Sequence, residues 1–221
     1  MTNPVNTDMA AYYALRNNFD EEDVDNPDAA DDLDQIMDRL RELMSGQRVL
    51  ELACGDGYWT DELAECADFV LATDINAGLL EMAKTRELPQ EIVQFALTDA
   101  CNPQVEGDEA DFSACFAGFW WSHVKREEQT DVLKRMRDAV GKDSLLMLVD
   151  NSYVETEKTV IARTDLEGNT YQIHALPNGE RYEIVKNFPT DSSLRKRFAS
   201  VLRDMRINRY EHYWMLTGRF R

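Results

Sequence analysis

VLELACGDGYWTDELAE, residues 49–65, changes character halfway along. Its first residues form a short apolar run suited to a buried strand. From Tyr58 the apolar residues return at helical spacing. Between the two halves stand Ala53, Gly55 and Gly57. Small residues at alternate positions let a backbone pass close to a ligand where a larger Cβ would block it. A helix that starts just after such a turn offers its N-terminal amides to the same ligand. The stretch therefore reads as the opening β–α unit of a layered fold.

Further units follow it. FVLATD (69–74), IVQFALTD (92–99), DFSACFAGF (111–119) and SLLMLVD (144–150) read as strands. AGLLEMAKTREL (77–88) and REEQTDVLKRMRDAV (126–140), with Gly141 as its cap, read as helices. Strands alternating with helices predict right-handed crossovers and a mostly parallel, doubly wound α/β sheet. The strands are apolar throughout, as expected when helices cover both faces. Upstream, Leu33, Ile36, Met37, Leu40 and Leu43 predict a helix from Asp31, stopped at Gly46. The acidic stretch 20–34 reads as a solvated link. MAAYYALRNNF (9–19) reads as a short helix bearing Tyr12, Tyr13 and Arg16.

After Asp150 the pattern changes. YQIHAL and RYEIVKNF flank Pro-Asn-Gly-Glu, so residues 171–188 predict an antiparallel hairpin. Thr190 or Asp191 caps a helix through Leu194, Phe198 and Leu202. MRINRYEHYWMLTGRF (205–220) is β-rich, as one long strand or two. The expected organisation is an N-terminal helical arm or lid over 1–30 and one domain over 31–221. That domain divides into a ligand-holding half, 31–151, and an acceptor-side half, 152–221.

The formal charge of −18 argues against a nucleic-acid partner, which needs basic surface to replace counterions. LRKRF (194–198) reads as a solvated helix face. Apolar runs fall short of the ~20 residues of a membrane span, and the first residues lack a basic start and an apolar core. We expect no membrane association, no secretion signal and a cytoplasmic protein. Cys54, Cys66, Cys101 and Cys115 form no C-x-x-C pair, and three histidines make no zinc-type cluster, so no metal is expected.

In a doubly wound sheet the ligand sits beyond the carboxyl ends of the strands. The first strand delivers Glu51 through Gly57, the second ends in Asp74, the third in Thr98-Asp99-Ala100, and the fourth in FAGFWWSHV (116–124). A carboxylate closing the second strand can accept both hydroxyls of a ribose. The dinucleotide fingerprint G-x-G-x-x-G is absent; the pattern is E-x-A-x-G-x-G, followed by Tyr58 and Trp59. VLELACGDGYWTDELAE, VLATDIN and LTDAC together resemble the class I S-adenosylmethionine-dependent methyltransferases over residues 31 to about 151. The resemblance implies a seven-stranded, mostly parallel Rossmann-like sheet, with the N-terminal arm and the hairpin after the fifth strand as additions. It also implies S-adenosylmethionine as cofactor.

Carried over by position, the resemblance has Glu51 and the backbone at Ala53, Gly55 and Gly57 hold the amino-acid part of the cofactor. Cys54, Trp59, Tyr13 and Arg16 belong to the same set. Asp74 takes the ribose, Ile75 packs on the adenine, and Asp99 accepts from its amino group beside Ala100. Phe116 and Ala117 line the sulfonium region. Ala53 departs from the family, where glycine is commoner. Trp120, Trp121 and Tyr153 are the candidate acceptor walls, and His123 the candidate base, having an ordinary pKa of about 6.5. His174 and His212 read as structural. The expected reaction moves a methyl group to a small-molecule acceptor, an oxygen first, in a monomer or homodimer. The alternatives are a small amine steered by Asp150 or Glu155, a non-catalytic cofactor-binding protein, and a nicotinamide-linked oxidoreductase.

Overall fold

In the computed structural model of the chain, residues 5–16, 27–105, 111–154 and 160–221 are described. Strand β1 (Val5–Asn6) leads into helix α1 (Met9–Leu15). Asp8 caps α1 by accepting from Ala11 N–H at 3.0 Å. Helix α2 (Pro27–Met44) begins at Pro27 rather than Asp31, so it takes in part of the acidic stretch and crosses the 30/31 boundary. Proline suits a first helical turn, whose N–H groups have no intrahelical acceptor. Residues 17–26, which hold the start of the acidic stretch, lie outside the described residues.

The alternation then runs β2 (Arg48–Leu52), α3 (Tyr58–Ala64), β3 (Phe69–Asp74), α4 (Ala77–Lys84), β4 (Val93–Leu97), β5 (Ala114–Gly118), α5 (Gln129–Val140) and β6 (Leu145–Asn151). Next come β7 (Arg163–Thr164), β8 (Thr170–Ala175), β9 (Arg181–Val185), α6 (Asp191–Phe198), β10 (Leu202–Arg209) and β11 (Tyr213–Phe220). The β-rich end of the chain is therefore two strands. Seven strands form the main sheet in the order β10-β11-β6-β5-β2-β3-β4. β2 to β6 pair in parallel, and β11 runs antiparallel between β6 and β10. This is the doubly wound arrangement with both faces covered. Leu50, Leu52, Cys115, Ala117, Leu146 and Leu148 pack toward α5 and α6. Val49, Val70, Ala114, Phe116, Met147 and Val149 pack toward α2 and α3. Successive strand residues thus serve opposite cores.

The hairpin after β6 belongs to a second, smaller sheet, ordered β1-β9-β8-β7. Val5 and Asn6 pair in parallel with Arg181 and Tyr182. Tyr12 is buried against Leu176, Tyr182 and Ile184, its ring 5.5 Å from that of Tyr182. This third apolar cluster fastens α1 to the hairpin. Thr190 caps α6, where Leu194 and Phe198 turn inward and Arg195 and Lys196 stay in solvent. No helix among the described residues is long and apolar enough to cross a membrane.

Candidate active site

The carboxyl ends of β2 to β6 open on a cavity of about 340 Å³, closed on one side by α1. One end is built from the turn after β2. Ala53, Gly55 and Gly57 all adopt left-handed backbone, with φ of 54°, 59° and 90°. That alternation turns the chain sharply enough for Cys54 N–H to reach Thr73 O at 2.9 Å and Gly55 N–H to reach Asp74 Oδ2 at 3.0 Å. Asp74 Oδ1 also accepts from Asn76 N–H at 2.8 Å. The carboxylate thus ties the turn to the end of β3. Burial pushes its pKa up, and the amides of Asn76 and Gly55 oppose the shift. Cys54, Ile75, Leu79, Asp99 and Ala100 complete this end, with Ile75 largely exposed on the wall.

The donor set fits a nucleoside joined to an amino acid. Carboxylates can accept from hydroxyl and amino groups, and Ile75, Leu79 and Ala100 supply apolar walls. Gly55 has open space where a Cβ would stand, so the turn leaves room for a close ligand. The wall carboxylates Asp56, Asp74 and Asp99 oppose a pyrophosphate, which counts against the nicotinamide alternative.

The other end is assembled from distant segments. His123 lies in a single 3₁₀ turn (Trp121–His123) after β5. Its Nδ1 stands 2.6 Å from Val185 O, and a carbonyl only accepts, so Nδ1 carries the proton. Nε2 is then an acceptor, and it takes the Tyr13 hydroxyl at 2.7 Å. Burial first, then the charge of Lys186, pushes the imidazole down to about 3. Burial pushes the Tyr13 phenol up. Both groups are neutral near pH 7. Arg16, Phe119, Trp120, Asn151 and Lys186 line the same end.

Several sequence expectations need correction. Phe116 and Ala117 do not line the cavity: both are fully buried inside the sheet, on its two faces, because β5 continues to Gly118. Gly118, Phe119 and Trp120 take that place. A Cβ on Gly118 would lie 2.2 Å from Trp59 Nε1, so the indole fills the side-chain space of the strand's last residue. Trp121 is not an acceptor wall; it points into the core, 5.1 Å from Phe198, while Trp120 faces the cavity. Tyr153 does not line the cavity either, and packs against Phe188 at 5.2 Å. Gly57 is turned toward Ala83 and Arg86. Glu51 lies beneath the turn and accepts from Thr60 Oγ1 at 2.7 Å. Burial pushes it up to about 8.

Of the two groups named to steer an amine, Asp150 does not reach the cavity. Asp150 is fully buried, with Oδ2 accepting from Ser122 N–H and Oδ1 from Asn151 N–H. Glu155 lies outside the described residues. Lys186 and Asn151 escaped the sequence reading. Asn151 follows the last residue of a strand that was read as such, so its place was recoverable. Lys186 had no local signal, because only the folded hairpin brings it to the cavity.

Residues 49–143 match a family model described as a methyltransferase domain. Over 71 residues the chain is 38% identical to the magnesium-protoporphyrin O-methyltransferase of Rhodobacter capsulatus, 31% of each chain. Over 51 residues it is 39% identical to the demethylmenaquinone methyltransferase of Corynebacterium urealyticum, 23% of this chain and 22% of that one. The matched segments span less than a third of these curated relatives. The complex of DhpI with SAH (S-adenosylhomocysteine) shares the fold over 96% of this chain and 94% of its own, with a TM-score of 0.72 and 25% identity.

Proposed function

We propose that this chain, which belongs by fold and cofactor half to the class I S-adenosylmethionine-dependent methyltransferases, transfers a methyl group to an oxygen of a small molecule. The reading is carried by one cavity that joins the left-handed turn at Ala53–Gly57 to the Tyr13–His123 pair.

When bound, the cofactor supplies an electrophilic methyl on a sulfonium. Asp74 and Asp99 would hold the nucleoside, Ile75 its base, and the amides and carbonyls of the turn its amino-acid part. Glu51, under the turn, would keep Thr60 and the start of α3 in place. Trp59 and Phe119 pack against each other with tilted rings at one side, and α1 covers the other; together they exclude water. Holding two reactants in line is worth roughly 7–11 kcal/mol, so orientation carries most of the work.

A hydroxyl acceptor must also lose a proton. Nε2 of His123 is engaged by Tyr13, so the proton would travel through the phenol. Tyr13 accepts it and hands its own to Nε2, while Nδ1–H stays on Val185 O. Such assistance is worth about 10²–10⁴-fold. The wall cations Lys186 and Arg16 make an ammonium acceptor a poor fit. The magnesium-protoporphyrin relative is named an O-methyltransferase, which supports the choice of oxygen.

Thermal-shift titration with S-adenosylhomocysteine tests the cofactor. At 100 times its dissociation constant it should add about 2.7 kcal/mol of stability. No shift in the native chain would sink the assignment.

A further inference from the structure

Lys186 carries a positive charge to the cavity of a chain whose formal charge is −18. It follows Val185, whose carbonyl holds His123. Its side chain is only 12% exposed. Nζ donates to Asn151 Oδ1 at 2.7 Å and lies 3.3 Å from Asp150 Oδ1. Asp150 is an incomplete partner, because both its oxygens also serve backbone amides, Ser122 N–H at 2.7 Å and Asn151 N–H at 2.8 Å. It is fully buried and does not line the cavity, whereas Lys186 does. An ammonium has three N–H donors, and these two contacts leave one for a ligand. Arg16 adds a second cation to the same walls, while the carboxylates on the walls, Asp56, Asp74 and Asp99, belong to the cofactor end.

We propose that the acceptor is a small hydroxyl compound that also carries an oxyanion group, and that Lys186 anchors that group, setting the hydroxyl to be methylated within reach of Tyr13 and His123. The inference rests on the methyl-transfer reading of this cavity. It explains why a lysine is buried against a carboxylate whose charge is already shared with two amides: the acceptor completes the pairing. It also couples binding to chemistry. The charge on Lys186 is one of the influences that keep His123 from accepting a proton. An anion seated on Lys186 cancels that influence, so the imidazole becomes a better base when the acceptor is in place. A cationic acceptor would meet like charge and leave the imidazole suppressed.

Inorganic phosphate serves as the oxyanion probe. It is titrated into the full chain saturated with S-adenosylhomocysteine, at ionic strength matched with chloride, and the melting temperature is read. A further, saturable rise is expected. In Lys186→Met/Asp150→Asn, which removes both charges of the buried pair, half-saturation should need at least tenfold more phosphate; Lys186→Arg should stay within about threefold of the native chain. Lys186→Gln replaces the double variant if that one fails to fold. No saturable rise in the native chain, or an unchanged midpoint in the charge-removed variant, overturns the proposal. Stabilisation by S-adenosylhomocysteine is read first and separately. Its absence counts against the cofactor reading, and phosphate titrated into the unloaded chain then decides the case for Lys186.

Discussion

At one end of the cavity the walls come from residues 53–101 in chain order, and the polar groups are acids and backbone amides. At the other end Tyr13, His123, Asn151 and Lys186 come from four separate elements, and the polar groups are a base, a phenol and a cation. The first end is made by consecutive β–α units, so each contact is set within a short stretch of chain. The second exists only once α1, the turn after β5 and the hairpin have docked on one another. The contrast teaches that binding of cofactor and chemistry on the acceptor should be separable by mutation.

The largest expected effect tests that separation directly. His123→Ala should lower kcat by about 10²–10⁴-fold once an acceptor is known. Affinity for S-adenosylhomocysteine should stay within about twofold, as for sites that share no partner. A variant that loses both together would break the comparison, because the acceptor end would then be shaping the cofactor end. Tyr13→Phe should follow the same split with a smaller fall, since the ring still packs beside His123 while the hydroxyl that bridges to Nε2 is gone.

The two ends should also oppose one another in stability against pH. Glu51 is raised to about 8 from 4.5. Between those values the folded state holds more protons than the unfolded, so stability falls as pH rises through that window. His123 is lowered to about 3 from 6.5. There the unfolded state holds more protons, so stability falls as pH drops through that window. Glu51→Gln should flatten the alkaline limb by an amount on the order of a few kcal/mol, measured by denaturant unfolding at pH 5 and pH 9. An alkaline limb unchanged by Glu51→Gln would mean that the carboxylate finds compensation outside Thr60.

Asp74→Ala sharpens the cofactor end alone. Losing charge-assisted hydrogen bonds worth about 1.5–3 kcal/mol should weaken S-adenosylhomocysteine by roughly 10- to 100-fold. The same variant frees Gly55 N–H from its acceptor, so a drop in melting temperature should accompany it. Equal affinity in Asp74→Ala would remove this carboxylate from the site.

The same contrast governs what the sequence could disclose. The parallel sheet and the cofactor end were legible because apolar runs, the Ala53–Gly57 turn and the strand-end acids lie close together in the chain. The errors there were small in register. Phe116 and Ala117 were assigned where Gly118 and Phe119 stand, because nothing in an apolar run marks the residue at which it leaves the sheet. Trp120 and Trp121 were both read as acceptor walls, because nothing in the pair itself marks which of two adjacent rings turns to the core. Packing against Phe198, far along the chain, decides it. Tyr153 was read from proximity to a strand end, yet Phe188 draws its ring away. Lys186 illustrates the limit: a lysine at the end of a hairpin strand reads as solvated, and only docking on Asp150 and Asn151 buries it.

The smallest expected effect concerns backbone strain, which both ends carry. Ala53 has φ of 54° and Phe119 has φ of 56°, each left-handed for a residue with a Cβ. That conformation costs roughly 1–2 kcal/mol, whereas glycine adopts it freely at an entropic cost of about 0.5–1 kcal/mol. Ala53→Gly gives up only a methyl group, so it should stabilise the chain by about 0.5–1 kcal/mol, a rise of roughly 1–4 °C in Tm for a domain of this size. Phe119→Gly relieves the same strain but loses ring contacts with Trp59 at 5.4 Å and Tyr213 at 5.7 Å. Truncating a large ring costs about 3–5 kcal/mol in a packed core, and somewhat less for a half-buried one, so this variant should be destabilised. Opposite signs at two residues with nearly the same φ would show that the cofactor end holds its strain for shape, and that the acceptor end holds it for the aromatic wall it positions. A destabilised Ala53→Gly would mean that the alanine methyl makes a contact worth more than the strain it imposes.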